Sequence, residues 1–113
     1  MKKINLLLSI VIASGIVFSC SKSDDPDPTG DPGPKFLAVK AVISSNCATS
    51  GCHASSSSAG GLNFESNTVI VNNGIRIKSA AVDQGTMPPT GQLSAADKAK
   101  ITDWINAGGR LTD

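Results

Sequence analysis

Cys47-Ala48-Thr49-Ser50-Gly51-Cys52-His53 places two thiols and an imidazole in one short run, with Cys52 and His53 adjacent. Three chemistries use such a set. The thiols can close a disulfide, the three groups can begin a zinc site, or both thiols can be tied to a cofactor whose metal the imidazole then binds. A closed zinc site takes four ligands, and the region after the N-terminal segments offers Cys47, Cys52 and His53 alone, so a carboxylate would have to join them. A Cys47–Cys52 disulfide is open to an exported chain but leaves the adjacent His53 unexplained.

Outward from this loop, the flanks read as helices. Phe36, Val39, Ile43 and Cys47 recur at helical spacing with Lys40 facing out, and Pro34 suits a helix entry, which predicts a helix over 36–45 running straight into the cysteines. Near the other end, Ser94-Ala95-Ala96-Asp97 reads as a capping box. Ile101, Trp104 and Ile105 share a face, Lys98, Lys100 and Asp103 face water, and Gly108-Gly109 ends the element. Between the two flanks lies Gly85-Thr86-Met87-Pro88-Pro89. Met87 is the one methionine besides Met1, and it sits on a proline-stiffened loop away from any helical stripe.

In this order (helix, Cys loop with His, Met loop, terminal helix with Trp), residues 36–109 resemble a small monohaem cytochrome c with His/Met ligation. The usual attachment signature has two residues between the cysteines and His directly after; here four intervene, so the motif is a CxxxxCH variant. The resemblance implies an all-α, cytochrome c-like fold of three to four short helices wrapped around one covalent haem c. Cys47 and Cys52 would form the thioethers, His53 and Met87 would be the axial iron ligands, and Trp104 would cross the first helix. Gly60-Gly61-Leu62 stands where the family has Gly-Pro-Leu. A carbonyl near Gly61 is therefore expected to orient His53, with Leu62 packed on the haem and Gly51 giving the widened loop its backbone freedom.

The middle is less determined. Residues 54–61 read as a small polar loop, followed by Leu62 and Phe64 as isolated apolar residues. Thr68-Val69-Ile70-Val71 is β-branched and stays open between strand and helix. Asn72-Asn73-Gly74 signals a turn, and a helix is expected over Gly74 to Val82.

The N-terminus is organised for export. Lys2 and Lys3 precede an apolar run from Ile4 to Val17, too short for a spanning helix, and Val17-Phe18-Ser19-Cys20 resembles a lipobox with Phe18 where a small residue is more usual. Residues 1–19 are thus expected to be a lipoprotein signal peptide with Cys20 lipidated. Residues 20–35 form a Pro/Asp-rich linker, and 36–113 the haem domain. The Ser21-Lys22-Ser23-Asp24-Asp25 start of the linker is similar to the acidic export tag of some surface lipoproteins, and its four prolines keep it semi-extended.

The 113 residues support one small domain, and with three Phe, one Trp and no Tyr its core is thin without a staple or cofactor. The net charge of +1 falls to −1 once Lys2 and Lys3 are removed, which argues against a nucleic-acid binder. No catalytic triad, paired acids or phosphate loop is visible, and the resemblance would commit the single His to ligation. The expected function is electron transfer, not catalysis: a monomer, lipid-anchored outside the cytoplasm in the cell envelope, meeting a redox donor and acceptor. The alternatives are a haem-free, disulfide-stapled interaction module or, if Met87 is not a ligand, a five-coordinate haem sensor or weak peroxidase.

Overall fold

The computed structural model describes residues 29–113. The expected signal peptide, Cys20 and most of the linker lie outside the described residues. Four α-helices follow in order: α1 (Pro34–Asn46), α2 (Asn67–Asn72), α3 (Gly74–Lys78), which runs on into a π-helical turn over Ser79–Asp83, and α4 (Ala95–Ala107). A tight 3-10 turn covers Ala59–Gly61. The described residues contain no strand, which bears out the all-α expectation at the level of class. No helix among them is long and apolar enough to cross a membrane.

The core forms where α1 crosses α4. Phe36, Val39 and Ile43 lie on one face of α1 and are fully buried, as are Ile101 and Trp104 on α4. Phe36 and Trp104 meet edge to face with ring centroids 5.8 Å apart, a geometry that adds to simple area burial. The indole N–H of Trp104 donates to the Arg110 carbonyl at 2.8 Å, so the largest core side chain carries no unsatisfied polar atom. α1 begins with Pro34 in its first turn, where the missing N–H is harmless. The next N–H groups, of Lys35 and Phe36, donate to the Asp113 carbonyl at 3.0 and 3.1 Å.

α4 starts and stops where its sequence indicates. Ser94 is the N-cap, its oxygen accepting from the Asp97 N–H at 3.1 Å, and Gly108 is the C-cap. Lys100 and the Ser94 hydroxyl both donate to the Asp97 carboxylate, holding its pKa below the usual value. α3 lies close over α4 because residue 74 is glycine. A Cβ there would stand 2.9 Å from Ile105 and 3.0 Å from the Trp104 ring.

One open reading is settled and one changes. The β-branched run forms α2, with Ser66 as N-cap and Ile70 and Val71 buried in the core; packing and the cap override strand propensity. Lys40 does not simply face water: its ammonium donates to the Asn67 side-chain oxygen, tying α1 to the start of α2.

Candidate haem-binding site

The register of α1 decides where the first cysteine goes. Cys47 continues the Phe36–Val39–Ile43 face by one more turn, so the buried stripe delivers its thiol, half-buried, to a cavity of about 310 Å³ beside the core. Cys52, His53 and Met87 line the same cavity. All four residues expected to hold a cofactor are therefore brought together, although 34 positions of chain separate His53 from Met87. The volume lies at the lower end of the range, roughly 300–1,000 Å³, typical of ligand and cofactor pockets.

The widened cysteine loop is accommodated by a turn of its own. The Cys52 N–H donates to the Thr49 carbonyl at 3.0 Å, and Gly51 adopts a φ of +82°, a conformation strained for any other residue. The His53 N–H then returns to the Cys47 carbonyl at 3.0 Å, closing the loop so that both thiols and the imidazole share one side. Both cysteines are free thiols. Burial, followed by the neighbouring Cys52, pushes the Cys47 thiol pKa up.

His53 is held by backbone and stacking. Its carbonyl accepts from the Phe64 N–H at 2.8 Å, and the two rings lie tilted with centroids 4.6 Å apart. The expected acceptor near Gly61 is not there. The turn passes through positive φ at Ser58, Gly60 and Gly61; the Gly61 and Leu62 N–H groups donate to Ser58 and Ala59 within it, while the Ala59 N–H ties it to the Cys52 carbonyl at 2.8 Å. The Nδ1 of His53 is left buried with no hydrogen-bond partner. Such an orphan is expensive unless something absent from the chain satisfies or relieves it, and native proteins keep few of them.

The remaining walls are mostly apolar. Leu62, Phe64 and Ile77 contribute side chains, and Ala80 and Ala81 present small surfaces from the end of α3 and its π-helical turn. Within the cavity lining Arg76 is the one permanently charged residue. The ion pairs of the described residues join Lys78 to Asp83, Lys100 to Asp97 and Arg110 to Asp113, and leave Arg76 out. Met87 and the two prolines after it close the far side, with Met87 41% exposed.

An apolar cavity with paired thiols, an unsatisfied imidazole, a thioether and one free guanidinium fits a flat, largely hydrophobic, metal-bearing group with carboxylates. Among the described residues no group of three or more His, Cys, Asp or Glu side chains is arranged to hold a metal ion by itself. Sequence reading missed Phe64 and Arg76. Phe64 stands alone without periodic neighbours, and Arg76 has no motif around it. No protein-family model, curated protein or solved structure matches the chain.

Proposed function

We propose that this chain is an electron carrier of the c-type cytochrome kind, with one haem held covalently by Cys47 and Cys52. The observation that carries this reading is the cavity in which both thiols, the His53 ring and Met87 converge. Bound there, the haem supplies an iron that cycles between ferric and ferrous states.

The protein's share is binding, orientation and electrostatics. The Cys47 and Cys52 sulfurs would add to the two vinyl groups, anchoring the ring to the end of α1 and to the turn after it. His53 and Met87 would fill the two axial positions, and a Met/His pair raises the potential. Arg76 would face the carboxylates, since it is the charged residue of the lining and takes part in none of the ion pairs of the described residues. Leu62, Phe64 and Ile77, which line the cavity, would keep water from the bound group and lower the local dielectric. With both axial positions filled no substrate reaches the iron, which leaves single-electron transfer as the activity.

The proposal extends to the setting: Cys20 lipidated, the domain tethered in the cell envelope, and protein partners that donate and accept electrons. The 41% exposure of Met87 favours one competing reading, an open iron in a sensor or weak peroxidase. The visible spectrum after acid–acetone extraction tests the main reading. Colour retained by the protein with a c-type reduced spectrum supports it, and a colourless protein overturns it. Ready carbon monoxide binding by the unmodified protein would favour the open site.

A further inference from the structure

We propose that Thr86 is a positioning residue for Met87, its hydroxyl helping to moor the methionine loop to the cavity wall. The inference rests on the reading of Met87 as an axial ligand. It starts from one oxygen atom. The Ala80 carbonyl accepts from the Thr86 N–H at 2.9 Å, from the Met87 N–H at 3.2 Å and from the Thr86 hydroxyl at 3.2 Å. Ala80 itself lines the cavity, so the main chain carrying Met87 is attached to the wall through a single acceptor.

The local backbone explains why that acceptor is available. The turn over Ser79–Asp83 is π-helical, and the Gln84 N–H donates to Ser79 at 2.9 Å. Gly85 then takes a φ of +64° and folds the chain back. The next two N–H groups meet the Ala80 oxygen instead of prolonging the helix.

The next two residues add no N–H bond to this mooring. Pro88 and Pro89 have no N–H to donate. The Met87 side chain is itself 41% exposed, so packing alone does not fix it. Of the three donors, the Thr86 hydroxyl is the one a substitution removes without touching the backbone. A ligand as weak as a neutral thioether is sensitive to how firmly its loop is held, because freedom in the loop adds to the entropy lost on coordination.

The test uses the full-length holoprotein and the substitutions Thr86→Val, which keeps the shape and loses the hydroxyl, and Thr86→Ser, which keeps the hydroxyl. Covalent haem is measured first, by extraction. Three readings follow: the weak near-infrared sulfur-to-iron band of the ferric protein, the affinity for imidazole competing at the iron, and the thermal midpoint. Thr86→Val should weaken the band and tighten imidazole binding by roughly two- to tenfold, the range expected for one exchanged hydrogen bond. Thr86→Ser should match the unmodified protein, and haem content should be equal in all three. Unchanged imidazole affinity in Thr86→Val, or a Thr86→Ser protein as altered as Thr86→Val, overturns the positioning role. An unmodified protein with haem but no near-infrared band overturns it by removing Met87 from the iron. Absence of covalent haem overturns the carrier reading and this proposal together.

Discussion

The two halves of the domain are finished to different degrees. Where α1 crosses α4, the side chains satisfy one another: Phe36, Val39, Ile43, Ile101 and Trp104 are buried, the indole N–H is bonded, and both ends of α4 are capped. On the cavity side the chain leaves groups over. Among the described residues two thiols are free, an imidazole nitrogen is buried without a partner, and the Arg76 guanidinium is in no ion pair, while Met87 stands partly in solvent. The difference teaches that one half is a scaffold whose groups satisfy one another, while the other is the half that the proposed haem would complete. The scaffold then positions the incomplete half, since α1 delivers Cys47 and α4 supports α3 beneath Arg76 and Ile77.

That contrast can be broken most forcefully at the cysteines. Replacing both Cys47 and Cys52 with Ala is predicted to abolish covalent haem altogether, so that organic extraction strips all colour and the thermal midpoint falls steeply. A double variant as stable as the unmodified protein would mean that the cavity side needs no cofactor.

On the finished side, Trp104→Ala is predicted to destabilise the protein by about 3–5 kcal/mol, the usual cost of truncating a buried large aromatic. Denaturant titration measures it. Below the unfolding transition the haem spectrum should stay as it was, because Trp104 is not among the residues lining the cavity. A changed ligation spectrum in the folded variant would show that the halves are not separable.

Arg76→Gln sharpens the comparison from the cavity side. Beside a guanidinium a carboxyl titrates about 1–3 units low, less where solvent screens it. Loss of Arg76 should raise the haem carboxylate titration by about one unit, seen as a new pH dependence of the reduction potential, with Arg76→Lys intermediate. A pH profile identical in all three proteins would remove Arg76 from the site.

The smallest effect belongs to the helix cap. Ser94→Ala should lower stability by about 1 kcal/mol and leave the haem spectrum untouched. Asp97, whose folded pKa is depressed by Lys100 and then Ser94, adds stability above its unfolded pKa and loses it as pH falls through the lower folded value. The gap between Ser94→Ala and the unmodified protein should therefore narrow in acid. A gap that widens as the carboxylate is protonated would contradict the cap.

The legible parts of the sequence are those with local causes. α4 announces itself through Ser94, Asp97 and Gly108, and α1 through the spacing of Phe36, Val39 and Ile43. α2 is not legible, because Val69, Ile70 and Val71 are helical only by virtue of the core they enter and the cap at Ser66. In the site, adjacency made Cys52 and His53 conspicuous, and the prolines made Met87 so. Phe64 and Arg76 reach the cavity through tertiary placement that no spacing encodes. The expected Gly61 contact with His53 does not form, and the Nδ1 of His53 has no hydrogen-bond partner among the described residues.

Intact mass spectrometry of the purified full-length protein tests the central claim most directly. The prediction is a protein carrying one haem that survives denaturation, with no free thiol at Cys47 or Cys52. A chain without haem, lighter than its reduced form by the two hydrogens lost to a Cys47–Cys52 disulfide, would contradict it.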